Sequence, residues 1–173
     1  MKHVTLVGPM GAGKTAIGRQ LARLLDLPFE DTDLVIQQRT GVDIPFIFEK
    51  EGEAGFRARE SRVLQDLLAG PACVIATGGG IVEREENRSL LKEHHPVFLL
   101  DASIDSQLAR TRRGLHRPLL EANDPRAVLE SLYLRRRPLY LEVASQVVVT
   151  DNRHVKAVAG EVLELLRKET PQA

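Results

Sequence analysis

One eight-residue stretch constrains the fold of this chain more than any other, namely Gly8-Pro9-Met10-Gly11-Ala12-Gly13-Lys14-Thr15. It matches the phosphate-loop pattern Gly-x-x-x-x-Gly-Lys-[Ser/Thr] in full, between the apolar run Val4–Val7 and a helix-like run that begins at Ala16. The glycines let the backbone turn tightly, so that successive N–H groups and the helix N-terminus face one anion. The pattern predicts a nucleotide site in which Lys14 reaches the β- and γ-phosphates and Thr15 is a ligand of Mg²⁺. The alternative is a glycine-rich turn without a ligand.

Strand-like and helix-like segments alternate along the rest of the chain, which predicts a parallel sheet covered by helices on both faces. No internal repeat or long linker divides the sequence, so we expect residues 1–173 to form one domain. The predicted strands are Val4–Val7, Phe29–Asp31, Cys73–Ala76, Val97–Leu100 and Gln146–Val149. The predicted helices cover Lys14–Leu25, most of Leu34–Leu68, Glu86–His94, Ser103–Arg112, Pro125–Tyr140 and Val155–Lys168.

Two carboxylates, Asp31 and Asp33, follow the second predicted strand. In extended backbone, residues i and i+2 point to the same side, so both carboxylates could face one site. One could hold Mg²⁺ through water, and the other could accept a proton from a substrate hydroxyl. Asp33 could equally be the N-cap of a helix that begins at Leu34.

Three consecutive glycines, Gly78-Gly79-Gly80, directly follow the third predicted strand. They predict very close approach of a ligand to the backbone, the alternative being a loose turn. Ligands of parallel sheets bind beyond the carboxyl ends of the strands, so the glycines and the phosphate loop predict one composite site. Arg57 and Glu60 lie three residues apart on a predicted helix and can pair on one of its faces.

Arginines surround the segment Gly114–Asn123, whose Gly, His, Pro and Asn content predicts a loop. A loop that carries Arg117 could close over phosphates, exclude water and neutralise developing charge. The alternative is a basic surface loop. The consecutive arginines at 135–137 spread over different directions of a helix, so at most two of them can reach a site.

Composition disfavours several classes of partner. The formal net charge is zero, Trp is absent and aromatic residues make up 4%, which disfavours a nucleic-acid partner. Cys73 is the only cysteine and cannot form an internal disulfide. No stretch resembles a membrane span or a signal peptide, so we expect a cytoplasmic protein without a membrane partner, acting as a monomer.

Beyond the phosphate loop, the sequence resembles the shikimate kinases over nearly its whole length. The resemblance rests on six further motifs, which are Phe29-x-Asp31-x-Asp33, Gly41-x-x-Ile44-x-x-Ile47-Phe48, Gly52-Glu53-x-x-Phe56-Arg57-x-x-Glu60, Gly78-Gly79-Gly80, Arg117-Pro118-Leu119-Leu120 and Arg136-x-Pro138-Leu139-Tyr140. It implies an α/β, P-loop nucleoside-monophosphate-kinase-like fold with a five-stranded parallel sheet flanked by helices. It also implies a small substrate-binding region at residues 33–60 and a lid at residues 112–124.

The resemblance implies transfer of the γ-phosphoryl group of ATP to the 3-hydroxyl of shikimate, with Mg²⁺, in aromatic amino acid biosynthesis. It implies catalytic roles for Lys14, Asp33 and Arg117, and a magnesium site at Thr15 and Asp31. The residues implied to bind the nucleotide are Gly11, Ala12, Gly13, Lys14, Thr15, Ala16, Arg110, Arg117 and Arg153. Those implied to bind shikimate are Asp33, Arg57, Gly79, Gly80 and Arg136, with Glu60 orienting Arg57.

Two segments depart from the family's pattern. Pro45-Phe46 stands where small or polar residues are expected, which could shift the substrate-binding region or expose an aromatic ring. The stretch Asn152-Arg153-His154-Val155 lacks the proline often found on the adenine side.

Two alternative functions stay open at this point. A related small-molecule kinase, such as a gluconate kinase, would share Lys14 and the lid but would have less need of the pair Arg57 and Arg136. A non-catalytic nucleotide-binding module is the other alternative, and the intact Lys14, Thr15, Asp33 and Arg117 argue against it.

Overall fold

Five parallel strands form one sheet in the spatial order β2-β3-β1-β4-β5. The strands of this computed structural model, in which residues 2–112 and 124–169 are described, are β1 (Val4–Val7), β2 (Phe29–Asp31), β3 (Val74–Ala76), β4 (Val97–Asp101) and β5 (Gln146–Val149). The helices are α1 (Lys14–Leu25), α2 (Thr32–Thr40), α3 (Ile44–Ala69), α4 (Glu85–Glu93), α5 (Ile104–Thr111), α6 (Pro125–Val143) and α7 (Val155–Glu169). A 3₁₀-helix, Ile81–Glu83, follows the three glycines.

The central strand β1 pairs with β3 on one side and with β4 on the other, so that Thr5 lies opposite both Ile75 and Val97. Every residue of β1, β3 and β4 is buried. Continuous apolar strands of this kind are stable only between two layers of helices, because both faces of the sheet exclude water.

The side chains of β1, β3 and β4 alternate between two hydrophobic cores. On one face Leu6 and Phe98 pack with Leu21 of α1 and Val162 of α7. On the other face, residues of β1, β3 and β4 pack with α3, α4 and α6, including Ile75, Leu99, Leu64, Leu91 and Tyr140. The five-stranded parallel sheet with flanking helices confirms the predicted fold class. No helix of residues 2–112 and 124–169 is long and apolar enough to cross a membrane.

The backbone between Asp31 and Asp33 differs from the sequence-based prediction. Helix α2 begins at Thr32, directly after β2, so the segment is not extended and the i, i+2 argument for the two carboxylates is wrong. Asp31 is the N-cap, and its carboxylate accepts hydrogen bonds from the N–H groups of Asp33 and Leu34. The N-cap role considered for Asp33 is therefore also wrong, and Asp33 lies in the first helical turn.

Helix α3 is broken at Gly52, whose φ of 69° and ψ of −177° are not helical. This backbone conformation is essentially restricted to glycine. The break separates the capped start of α3, at Asp43 and Pro45, from the segment that carries Arg57 and Glu60.

Candidate active site

The phosphate loop connects β1 to α1 at the carboxyl end of the sheet. Gly8, Gly11 and Gly13 have φ values of 145°, 79° and 89°, which side chains rarely tolerate. A Cβ at Gly8 would also lie 2.1 Å from the carbonyl oxygen of Leu100. Lys14 is buried, and its Nζ donates to the carbonyl oxygens of Gly8 at 2.7 Å and Pro9 at 2.8 Å. The ammonium therefore lies along the loop that would hold phosphates.

Thr15 and Asp31, the predicted magnesium residues, lie together at the end of this loop. The Thr15 hydroxyl donates to Asp31 Oδ2 at 2.7 Å, while Asp31 Oδ1 accepts from the backbone of α2. A hydroxyl and a carboxylate suit a hard cation that keeps several waters and phosphate oxygens as its other ligands. Among the described residues no group of three or more His, Cys, Asp or Glu side chains could hold a metal by itself.

Two of the three glycines, Gly78 and Gly80, have charged side chains packed directly against them. A Cβ at Gly78 would lie 2.6 Å from Glu60 Oε2 and 3.1 Å from Asp33 Oδ1. A Cβ at Gly80 would lie 2.4 Å from the Arg57 guanidinium. The predicted close approach therefore exists, but the groups that approach Gly78 and Gly80 here belong to the protein itself.

Gly79 joins the glycine turn to the phosphate loop. A Cβ added at Gly79 would lie 3.4 Å from Arg136 Nη1 on one side and 3.5 Å from the Met10 N atom on the other. A single glycine thus separates the phosphate loop from a buried guanidinium. The structure brings the loop, the glycines, Asp33, Arg57 and Arg136 into one site.

The charged groups of this site are deeply buried. Glu60 is 0% exposed and Arg136 is 2% exposed, and Arg57 donates to Glu60 Oε1 at 2.9 Å. Within residues 2–112 and 124–169, Arg57 Nε, Arg136 Nε and Glu60 Oε2 have no hydrogen-bond partner. A buried polar atom without a partner costs about 1–3 kcal/mol, so such a cluster marks either a strained core or a ligand site. Two guanidiniums with spare donor capacity suit a small carboxylate ligand.

Burial, together with the neighbouring Asp33 carboxylate, raises the pKa of Glu60 from 4.5 to about 7 against the lowering effects of Arg57 and Arg136. An unfolded chain releases this proton near pH 4.5, whereas the folded protein retains it until about pH 7. The group therefore stabilises the fold fully below pH 4.5, and this contribution is lost as the pH rises through about 7.

We expect the variant Glu60→Gln to lose part of this pH dependence, because an amide does not titrate. Between about pH 5 and about pH 7.5, the free energy of unfolding of the unmodified protein should fall by about 3 kcal/mol at most relative to the variant. Urea denaturation at both pH values measures the difference. Parallel pH profiles of the two proteins would contradict the raised pKa of Glu60.

Glu83 is a member of this cluster that sequence reasoning missed. It ends the 3₁₀-helix and accepts hydrogen bonds from Arg135, including one from Nε at 2.8 Å. Its Oε2 lies 3.4 Å from Arg136 Nη2 and 3.7 Å from Arg57 Nη2. Because α6 supplies two of these arginines from more than 50 residues away, no local pattern could have found the contact.

The three consecutive arginines of α6 diverge, which agrees with the expectation that at most two reach one site. Arg136 lies in the cluster and Arg135 pairs with Glu83 at its edge. Arg137 instead lies 3.3 Å from Asp101 at the end of β4.

The remaining predicted nucleotide residues lie beside the loop or outside the described residues. Arg110 donates to the Gly11 carbonyl at 2.9 Å and to the Thr150 carbonyl at 2.8 Å, so it ties the phosphate loop to the end of β5. Arg153 donates to the Val149 carbonyl and pairs with Glu161. Arg117 and most of the predicted lid fall within residues 113–123, which the structure does not describe.

The departures from the expected family pattern have a local structural explanation at Pro45-Phe46. Pro45 stands in the first turn of α3, where its missing N–H is not needed, and Asp43 caps that turn by accepting from the Phe46 N–H at 3.0 Å. Phe46 is 45% exposed, so this segment does expose an aromatic ring, which was one of the two expectations from the sequence.

The sheet order, the phosphate loop and the arginine-lined glycine turn define a P-loop kinase of the nucleoside-monophosphate-kinase-like fold. A family model for shikimate kinase matches residues 10–167. Shikimate kinases of a Marinomonas species and of Vibrio campbellii are each 50% identical to the chain, covering 96% of it and 92% and 97% of their own lengths. The chain belongs to the shikimate kinase family.

Solved structures agree with this membership. A structure of shikimate kinase from Acinetobacter baumannii in complex with shikimate is 44% identical, with a TM-score of 0.96 over 99% of this chain and 96% of that chain. Shikimate kinase from Aquifex aeolicus is 35% identical, with a TM-score of 0.81 over 96% of this chain and 97% of that chain. These matches span almost the whole sequence, so they include both the phosphate loop and the buried arginine cluster.

Proposed function

We propose that this protein transfers the γ-phosphoryl group of ATP to the 3-hydroxyl of shikimate, giving shikimate 3-phosphate and ADP. The observation that carries the proposal is the position of Gly79, which lies between the phosphate loop and the buried Arg136. A small carboxylate bound by the arginines would therefore lie next to the phosphates of a bound nucleotide. The name shared by the relatives supports this proposal, and so does the shikimate bound in the Acinetobacter baumannii structure.

In this proposal Arg57 and Arg136 bind the substrate carboxylate, because guanidiniums hold carboxylates through paired N–H groups. Glu60 orients Arg57 through their hydrogen bond at 2.9 Å. Gly79 and Gly80 contribute backbone N–H groups, and Asp33 accepts the proton of the reacting hydroxyl. These assignments place the acceptor hydroxyl on the side of the cluster that faces the phosphate loop.

The nucleotide side of the proposal uses the loop that precedes α1. The backbone N–H groups of residues 11–16 bind the phosphates, and Lys14 stabilises the negative charge that develops during transfer. Mg²⁺ accompanying ATP would be held at Thr15 and Asp31, where it would neutralise charge on the phosphate oxygens. Arg110 of α5 and Arg153 both donate to backbone carbonyls at the end of β5, and they would flank the adenine.

Further parts of the proposal rest on the family resemblance. Residues 33–60 form the substrate-binding region, residues 112–124 form the lid, and Arg117 reaches from that lid to the phosphates. A single chain is the active unit, and the cytoplasm is its compartment.

One assay separates this function from its rivals. Release of ADP from ATP and Mg²⁺ is measured with shikimate and, in a matched reaction, with gluconate. We expect turnover with shikimate and little with gluconate, because the buried arginines suit a carboxylate held against a rigid ring. Turnover with gluconate alone would favour the related kinase. Nucleotide binding without turnover of either acceptor would favour a non-catalytic module.

The variant Gly80→Ala should raise the KM for shikimate at least about tenfold. The added Cβ would lie 2.4 Å from the Arg57 guanidinium, although the φ of −93° at Gly80 suits alanine. Gly160→Ala on α7 is the matched control, because a Cβ added there would meet no atom within 4 Å. Steady-state kinetics of both variants test the prediction, and an equal KM in both would contradict the role given to Arg57.

A further inference from the structure

Tyr140 on α6 is fully buried and makes one polar contact that the functional assignments above do not use. Its hydroxyl donates to the carbonyl oxygen of Gly79 at 2.5 Å. Burial raises the pKa of Tyr140 above its ordinary value, against the lowering effect of Arg136, so the hydroxyl stays protonated and remains a donor. A hydroxyl is not needed to fill this apolar core, because phenylalanine has the same ring.

The acceptor of this hydrogen bond belongs to the peptide that joins Gly79 to Gly80. A peptide unit is planar, and this one is trans, so its carbonyl and its N–H point in opposite directions. Fixing the Gly79 carbonyl against Tyr140 therefore also fixes the direction of the Gly80 N–H. Gly78 and Gly80 are held by hydrogen bonds with Thr32, Ile81 and Glu83, whereas the Gly79 carbonyl is held by Tyr140.

Tyr140 also lies between the buried arginine cluster and the phosphate loop. It lies one helical turn beyond Arg136, and both side chains border a small cavity together with Pro9 and Met10 of the phosphate loop. The Cβ position of Gly79 would lie 3.4 Å from Arg136 Nη1 and 3.5 Å from the Met10 N atom. The tyrosine thus holds the residue that lies between the guanidinium and the loop.

We infer that Tyr140 is a positioning residue, whose hydroxyl fixes the Gly79–Gly80 peptide and thereby aligns the carboxylate-binding arginine and the glycine N–H groups for the acceptor substrate. This inference rests on the proposed function, because it assigns the acceptor to the glycine turn. It concerns acceptor binding and not ATP binding, since the phosphate loop is held by separate hydrogen bonds, from Lys14 Nζ to the Gly8 and Pro9 carbonyls and from Arg110 to the Gly11 carbonyl.

The variant Tyr140→Phe tests the inference, with Tyr133→Phe as the matched control. Tyr133 lies on the same helix and borders the same small cavity, but its hydroxyl donates to Asp101 at 2.8 Å and not to the glycine turn. We expect Tyr140→Phe to raise the KM for shikimate about tenfold and to change the KM for ATP less than about twofold. Tyr133→Phe should leave both constants near those of the unmodified protein.

Each kinetic outcome decides between positioning and general packing. Tyr140→Phe loses the hydrogen bond to Gly79, and Tyr133→Phe loses those with Asp101 and Arg137, so a loss of thermal stability in both is expected and does not separate them. An unchanged KM for shikimate in Tyr140→Phe, or an equal rise in both KM values, would overturn the inference. If the unmodified protein itself fails to phosphorylate shikimate, the proposed function fails instead.

A spectroscopic measurement avoids the need for a Tyr140 variant. The chain has two tyrosines, so Tyr133→Phe grown with 3-fluorotyrosine carries its only fluorine label at Tyr140. We expect the ¹⁹F signal to shift when shikimate is added to saturation and to shift much less with ADP. If the ¹⁹F signal does not shift with shikimate in protein that still phosphorylates it, Tyr140 lies outside the acceptor site.

Discussion

The variant Lys14→Met should lower kcat at least about 10³-fold while the protein stays folded. Loss of one preorganised donor to developing charge costs about 10²–10³ in rate, and cations that stabilise a transferring phosphoryl group contribute about 10³–10⁵. The side chain is 8% exposed, and its Nζ donates to the Gly8 and Pro9 carbonyls. Methionine keeps most of the apolar stem, so the packing beneath the loop is retained while the charge is lost.

The matched control for Lys14 is Lys92→Met, which removes an ammonium from the surface of α4. Lys92 pairs with Glu142, far from the phosphate loop in sequence and exposed to solvent. We expect it to keep near-normal kcat, since an exposed ion pair contributes about 0–1 kcal/mol to stability. Thermal unfolding of both variants checks that they fold, and steady-state kinetics with ATP, Mg²⁺ and shikimate measure the effect. Near-normal turnover of Lys14→Met would contradict the catalytic role given to Lys14.

The sequence predicted the sheet well because its signals are local. Continuous apolar runs and the phosphate-loop motif place strands and the first helix, and the bounds predicted for β1, α1 and β2 are those of the structure. The crossovers of a parallel sheet then bring the carboxyl ends of the strands together, so the loop, Asp31 and the glycine turn had to meet at one edge.

The geometry around Asp31 and Asp33 could not be predicted in the same way. Two carboxylates two residues apart are compatible with both strand and helix, and the choice depends on which of them caps the helix. Asp31 is the N-cap in the structure, and its second carboxylate oxygen accepts from the Thr15 hydroxyl, a contact 16 residues away in sequence. Long-range contacts also decide the role of Glu83, which meets Arg135 only after α6 packs on the sheet.

The purpose of the three glycines likewise became clear only in three dimensions. Sequence alone predicts close approach to their backbone, but it cannot say what approaches. In the structure Glu60 and Arg57 lie against Gly78 and Gly80, whereas Gly79 contacts Arg136 and the phosphate loop. The glycines thus make room for a buried charged cluster as well as for any substrate.

Asp33 faces this cluster, and the variant Asp33→Asn should lower kcat about 10³-fold with a KM for ATP within about twofold of normal. An amide keeps the shape of the side chain but cannot accept a proton from the acceptor hydroxyl, and general base catalysis is worth about 10²–10⁴ in rate. The control Asp66→Asn changes an exposed carboxylate that pairs with Arg39, and it should keep normal kcat. Titration with ATP and steady-state kinetics separate nucleotide binding from the chemical step.

A second measurement on Asp33→Asn distinguishes a catalytic role of Asp33 from a purely electrostatic effect on the pKa of Glu60. The Asp33 carboxylate raises the pKa of Glu60, so the amide should lower that pKa and move the pH-dependent loss of stability to lower pH. Urea denaturation across about pH 5 to about pH 7.5 measures this shift. If the shift appears while kcat stays normal, Asp33 acts only as an electrostatic neighbour of Glu60, and another group must accept the proton. If kcat falls and the shift appears, one carboxylate serves both the reaction and the charge state of the arginine cluster.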